Sequence, residues 1–308
     1  MIKTIVFLGL IPLLSIQSSC TKNKPSVPDE PYQEIPAPDG FKYIGGDEFN
    51  TKLLNENTWL KYGTAGSGTA TYGRPQGMIQ TYRPEQVQMA TLPTGEQVVR
   101  ITSVKRTDKD SLYGQPSWWS GAISTRERNV FFPLYCRIEV RAKVANVLGV
   151  WHALWSRYYN GASIAELDLN ECFVATNGLN KVNQAIHLWN ANTNATQSNV
   201  GNKSKDVADV AGTFHTYAVQ VDKDPDAENE AIITYYIDDV VHYSLKTSDF
   251  PNRNRFILDA IAEKRENSAW DFVLTGQIGA TGAWVGYPNE STTQAVTEVD
   301  WVRVFVKK

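Results

Sequence analysis

From about residue 40 onward, hydrophobic residues recur with a period of two in short runs that turn-forming residues interrupt. Side chains alternate faces along a β-strand, so runs of this kind bury one face and leave the other for solvent or ligand. The stretches 98–103, 137–143, 214–221, 231–237 and 301–307 follow the pattern. Asp238-Asp239 just before Val240-Val241 reads as the turn of a hairpin. Long amphipathic helical patterns are scarce, and no internal repeat appears. The expected fold is all-β: two stacked antiparallel sheets in one domain over residues 40–308. The chain has 308 residues and is 42% hydrophobic, which is enough apolar material for such a core. Its net charge of −3 gives no basic face for nucleic acid, so no nucleic-acid partner is expected. The same mild acidity gives no electrostatic reason to favour heavily sulfated polymers.

One run breaks the apolar rule. Ala165-Glu166-Leu167-Asp168-Leu169-Asn170-Glu171 is strand-like, yet it carries three carboxylates. Glu166 and Asp168 share a face, and Leu167 and Leu169 point the other way, into a core. Strict alternation would place Asn170 beside the acids and send the charged Glu171 inward, a costly burial. One extra residue in a β-bulge would return Glu171 to the face of Glu166 and Asp168. Three acids on one surface repel one another and raise each other's pKa. A solvated edge strand would carry the same pattern with no chemistry attached. Retaining glycosidases, however, need two carboxyl groups about 5–5.5 Å apart, and same-face positions on one strand are roughly 6.5–7 Å apart at the backbone. On that reading Glu166 is the ionised nucleophile. Glu171 is the general acid and then base, its pKa raised by its neighbours. Asp168 tunes Glu166 and helps keep Glu171 protonated.

Here the chain resembles a known family. Glu166-Leu167-Asp168-Leu169-Asn170-Glu171 is similar to the E-x-D-x-x-E signature of glycoside hydrolase family 16 in its bulged form. The family includes laminarinases, lichenases, agarases, porphyranases and carrageenases. Asp47-Glu48-Phe49 followed by Trp59 resembles the family's D-E-F…W opening. Ser120-Gly121-Ala122-Ile123 and Cys136-Arg137-Ile138-Glu139-Val140-Arg141-Ala142-Lys143 resemble two of its strands. Gly149-Val150-Trp151-His152-Ala153-Leu154-Trp155 is similar to G-x-W-P-A-F-W, and Val299-Asp300-Trp301-Val302-Arg303-Val304-Phe305 to V-D-Y-V-R-V-Y. The match runs in family order over roughly residues 40–308. Three departures stand out: His152 for proline, Cys136 for glycine, and Asn170-Glu171-Cys172-Phe173 for the commoner M-E-Y. None removes a catalytic acid.

The resemblance implies a concanavalin A-like jelly roll with a substrate cleft across its concave sheet. It implies an endo-acting, retaining glycoside hydrolase that needs no catalytic cofactor. The first-choice substrate is a β-1,3- or mixed-linkage β-glucan. The alternatives are a galactan such as agarose, porphyran or carrageenan, or a non-catalytic carbohydrate-binding lipoprotein. Transglycosylation is a variant of the first. Aromatic faces suit the apolar C–H faces of sugars. Trp118, Trp119, Trp151, Trp155 and Trp189, with Trp270 and Trp284, are candidate cleft walls, each competing with a role in the core. His187 is a candidate contact for Glu171 or a sugar hydroxyl, and Arg126 and Arg137 for hydroxyl or sulfate groups. Asp300 is where relatives suggest a structural calcium. Loops at 190–201 and around Ser163 are expected to set specificity.

Residues 1–20 read as a secretory signal: Lys3, an apolar stretch from Ile5 to Leu14, then Ser18-Ser19-Cys20, which resembles a bacterial lipobox. The apolar stretch is too short to span a bilayer. Cleavage before Cys20 and acylation of its thiol would anchor a monomeric enzyme to the cell envelope, with the outer membrane expected. Residues 21–39 are a polar, Pro-rich tether without a fold. Cys136 and Cys172 remain, either as a disulfide or as two buried thiols, and the four histidines show no metal-ligand spacing.

Overall fold

Alternate-residue patterning builds two sheets that face each other through their apolar sides. In the strand Ala231–Ile237 every second side chain is buried, and the intervening ones are only partly so. Asp238 and Asp239 both take left-handed backbone angles, φ 51° and 61°, and turn the chain into the strand Val240–Lys246. This two-residue turn matches the right-handed twist of the strands it joins. The computed structural model describes residues 35–161, 164–189, 198–250 and 253–308. Within it, residues 36–308 form one compact unit. The signal sequence, Cys20, most of the tether, Ser163 and residues 190–197 lie outside the described residues.

The larger sheet has ten strands. In spatial order, eight run Val240–Lys246, Ala231–Ile237, His215–Lys223, Arg137–Lys143, Gln294–Lys307, Gln97–Lys109, Pro116–Ser120 and Gln80–Tyr82. Phe41–Asp47 pairs with Gln294–Lys307, and Val87–Thr91 with Gln97–Lys109. The pairings are antiparallel apart from Gln80–Tyr82 with Pro116–Ser120. The smaller sheet has seven strands in the order Ser198–Asp206, Lys181–Trp189, Ile164–Glu171, Val150–Tyr159, Asp271–Ile278, Ala122–Ser124 and Leu60–Lys61. The helix Arg255–Ala262 buries Phe256, Ile257 and Ala260 against the same core. No described helix is long and apolar enough to cross a membrane.

The main core lies between the sheets. Leu167, Leu169 and Ile186 of the smaller sheet join Ile138, Val140, Val219, Tyr235, Val302 and Val304 of the larger in one buried cluster. The opening motif fastens the chain's early segment onto this core. Asp47 accepts hydrogen bonds from the Phe49 backbone N–H and from Trp59 Nε1, at 2.9 and 2.8 Å. Glu48 takes a two-pronged bond from Arg303, Nε at 2.9 Å and Nη2 at 2.8 Å. Cys136 and Cys172 are separate, buried thiols.

His152, the departure from proline, spans the two sheets. Its Nε2 is 2.8 Å from Ser103 Oγ and its Nδ1 2.8 Å from Thr297 Oγ1, both on the larger sheet. Burial pushes its pKa down to about 3, so it works there as a neutral imidazole.

Candidate active site

The strand Ile164–Glu171 is a middle strand of the smaller sheet, between Lys181–Trp189 and Val150–Tyr159. Its register with the latter runs Glu166 to Arg157 and Asp168 to Trp155, then resumes at Asn170 with Leu154 and Glu171 with Ala153. Leu169 is the extra residue of a bulge. Asn170 is thereby turned inward, fully buried, with its Oδ1 3.6 Å from the Cys172 Sγ. Glu171 comes out on the face of Glu166 and Asp168, and all three line one cavity. Cys172 points into the core, where burial pushes its thiol up to about 12.

Opposed residues in antiparallel strands share a face, and the register arranges that face as three rungs. The first holds Asp271, Arg157, Glu166 and His187. The second holds Val273, Trp155, Asp168 and Ala185. The third holds Thr275, Ala153, Glu171, Asn183 and Ser204. Each acid therefore has a defined neighbourhood. Glu171 accepts from Trp151 Nε1 at 3.0 Å and from Asn183 Nδ2 at 3.2 Å. His187 Nε2 is 3.1 Å from Asp168 Oδ2. Trp155 Nε1 donates to Thr275 Oγ1 at 3.2 Å, which fixes its ring.

Burial dominates the electrostatics. It raises the Glu171 carboxyl to about 8, with the Asp168 charge adding to the rise and His187, Asn183 and Trp151 opposing it. At neutral pH Glu171 is therefore protonated. Burial and mutual repulsion push Glu166 and Asp168 up together, and the two titrate as a pair rather than singly. Asp168 is 3% exposed, whereas Glu166 is partly open to the cleft.

Two cavities meet at the acids. One, of about 350 Å³, is lined by Tyr72, Gly73, Gln76, Trp151, Trp155 and Gln277 together with the three acids. The other, of about 470 Å³, is lined by Phe173, Asn183, His187, Asn202 and Trp284, among others. They share Gln76, Trp151, Glu166 and Glu171, so the cleft continues past the acids on both sides. Tyr72 stacks on Trp155 at 6.4 Å between ring centres. Trp284, 48% exposed, packs edge-on to Trp151 and Phe173 at 5.0 and 4.7 Å. Gly73 has φ 83°, and a Cβ there would fall 2.5 Å from Gln277 Oε1, so the rim needs glycine at that point.

Several expected contacts lie elsewhere. Trp118 belongs to the larger sheet and is fully buried with Ile79, Val150 and Ile278, so it is core and not cleft wall. Trp119, its neighbour, faces the outer side of that sheet, where Arg106 stacks on it at 3.9 Å. Trp270 is fully buried and donates to the Leu134 carbonyl at 2.9 Å. Arg137 is buried among Glu139, Asp239 and Tyr236, and Arg126 lies over Tyr159; neither lines the cleft. The Trp189 side chain is outside the described residues. Asp300, where the resemblance suggests a structural calcium, has its carboxylate engaged by Arg141. Among the described residues, Glu166, Asp168 and His187 are the group of three that brings ligand-type atoms together, within 4.8 Å. Proton chemistry accounts for that trio, and no metal is assigned to it.

The cleft also contains residues that the sequence reading passed over, Tyr72, Gln76, Phe173, Asn183 and Gln277, and Arg157 sits beside Glu166 in the register without lining either cavity. Two carried a usable signal. Arg157 continues the period-two series Trp151, Ala153, Trp155, and Asn183 lies on the face of His187. Tyr72 and Gln76 come from irregular chain some ninety residues upstream and carry none.

A family model described as Glycosyl hydrolases family 16 matches residues 80–303. A curated relative, glucan endo-1,3-beta-glucosidase A1 of Niallia circulans, is 26% identical over 286 residues, or 88% of this chain. The chain spans only 38% of that relative's length. The laminarinase catalytic domain of Thermotoga maritima MSB8 superposes with a TM-score of 0.63 at 19% identity, over 88% of this chain and all of that one. SCLam, a non-specific endo-beta-1,3(4)-glucanase, superposes with a TM-score of 0.64 at 24% identity, over 90% of this chain and 95% of that one.

Proposed function

The chain belongs to glycosyl hydrolase family 16, and from that premise we propose that it is a retaining endo-β-1,3(4)-glucanase, with Glu166 as nucleophile and Glu171 as acid/base. The family makes it a glycoside hydrolase that needs no catalytic cofactor. The observation that carries the finer reading is the bulge, which puts Glu166, Asp168 and Glu171 on one face of a cleft that extends beyond them in both directions. An open-ended cleft takes an internal segment of a polymer. Glu166 attacks the anomeric carbon while Glu171 gives its proton to the departing glycosidic oxygen. The glycosyl–Glu166 ester is then hydrolysed by a water that Glu171, now ionised, deprotonates. Asp168, between the two glutamates, tunes the charge of Glu166 and helps keep Glu171 protonated. Trp151, Trp155 and Trp284 supply flat apolar faces for the sugars on either side.

The choice of β-glucan is supported by the names of the relatives, among them an endo-1,3-glucosidase and an endo-β-1,3(4)-glucanase. The test is reducing-end release from laminarin, lichenan, agarose, porphyran and κ-carrageenan by residues 21–308, run beside Glu166→Gln. Release from laminarin or lichenan, falling by about a thousandfold or more in the mutant, is expected. Release from a galactan alone would replace the substrate, and undiminished activity in Glu166→Gln would remove the mechanism. We also propose that Cys20 carries a lipid anchor that holds the enzyme at the bacterial cell envelope. Its support is the lipobox-like Ser18-Ser19-Cys20 after a short apolar stretch. Labelled fatty acid should enter the full chain and not its Cys20→Ser variant.

A further inference from the structure

The first rung alternates in charge across four neighbouring strands: Asp271, Arg157, Glu166, His187. Directly opposed residues have Cβ atoms about 4.5–5.5 Å apart. Arg157 therefore leaves the sheet on the nucleophile's face and beside it. It is held in place. Its Nε donates to Asp271 Oδ2 at 2.8 Å, and its guanidinium lies 5.1 Å from the Trp155 ring centre. The Arg157 and Asp271 side chains are only 12% and 2% exposed. A guanidinium in such a setting stays charged at every working pH and is poorly screened by solvent.

The surroundings of Glu166 give that charge a purpose. Asp168 and Glu171 come from its own strand, His187 from Lys181–Trp189 and Arg157 from Val150–Tyr159. Tyr72 approaches from the segment before Gln80–Tyr82, and Tyr235 from the opposite sheet. Burial holds both phenols protonated. The two acids and the loss of water all oppose a charge on Glu166. Against them stand His187 and, more weakly, Arg157, whose charge does not depend on pH. Asp271 lies on its far side, so the clamp fixes the guanidinium without placing another anion next to the nucleophile.

We propose that Arg157, clamped by Asp271, is a positioning residue that holds Glu166 as a charged, correctly aimed nucleophile. The proposal rests on the reading of Glu166 given above. It also accounts for an arginine in the series Trp151, Ala153, Trp155, whose other members face sugar.

The test isolates the attack of Glu166 from proton donation. A dinitrophenyl 2-deoxy-2-fluoro β-glucan oligosaccharide has a leaving group that needs no acid, so its inactivation rate reports formation of the Glu166 ester alone. Arg157→Met is expected to slow inactivation about tenfold and to move the acid limb of the profile up by about one pH unit, since an opposite charge at this range shifts a carboxylate by one to three. With glucan, kcat should fall more than KM rises, and Arg157→Lys should restore most of the rate and the limb. If Arg157→Met does not fold, Arg157→Gln, which can still bond Asp271, is expected to show the same shift. A folded neutral variant with wild-type inactivation and an unmoved acid limb would overturn the proposal. Failure of the nucleophile reading would show separately, as inactivation that persists in Glu166→Gln.

Discussion

At the scale of single residues, the site depends on unequal burial of like groups. Glu171 keeps its proton because burial and the charge of Asp168 outweigh the two donors, Trp151 and Asn183, that favour its ionised form. The sign of one test follows. With Glu171 as the proposed acid, activity needs its protonated form and is expected to fall as pH rises through about 8. The Trp151 N–H stabilises the carboxylate, so removing it raises the pKa further. Trp151→Phe is thus expected to move the alkaline limb of kcat/KM upward while weakening sugar stacking. An alkaline limb that stays put or moves down in the pH–rate profile would contradict this. The residue pattern gave away the three acids because carboxylates at apolar strand positions are conspicuous. It could not grade their protonation, which depends on partners from three other strands.

At the scale of elements, strands were easier to read than sheets. The runs 137–143 and 231–237 coincide with observed strands, and the Asp-Asp turn forms as its composition suggests. The long strand Gln97–Lys109 outruns its apolar part because its last residues are exposed and polar. Trp118 and Trp119 were misplaced for a physical reason. A strand pattern shows which side chains share a face, but not which sheet the strand joins or which of its faces meets the ligand. His152 illustrates the converse, a polar residue that reads as an anomaly until both sheets are in view. His152→Ala would take one hydrogen bond each from the Ser103 and Thr297 hydroxyls, which keep Ser120 and the Ala145 N–H as partners, and is expected to cost about 1–3 kcal/mol in denaturant unfolding. Because the folded-state pKa of His152 is depressed, its contribution is present above pH 6.5 and lost as pH falls toward about 3. The gap between wild type and mutant should therefore narrow in acid. A constant gap would show that the ring acts by packing alone.

At the scale of the whole molecule, two packed sheets provide a rigid floor and irregular segments supply the walls. Tyr72, Gln76, Phe173 and Trp284 come from chain regions far apart in sequence and meet around the acids. Because the cavities on either side share Glu166 and Glu171, the proposed glucan substrate, held on both sides, is expected to contribute to the chemical step and not only to binding. With oligoglucosides of rising length, kcat should climb until both cavities are filled. A kcat independent of length, with only KM changing, would mean that the outer contacts bind ground state and transition state alike. The extra residue at Leu169 also constrains how the gene can change. Substitutions along this strand alter the enzyme by degrees. Loss of the codon for Leu169 would remove the bulge and leave Glu166, Asp168 and the following glutamate in plain alternation on the same face. A one-residue deletion between Glu166 and Asp168, where the alternation is regular, would instead set those two acids on opposite faces, so between the acids a change of length is admissible at the bulge and not before it.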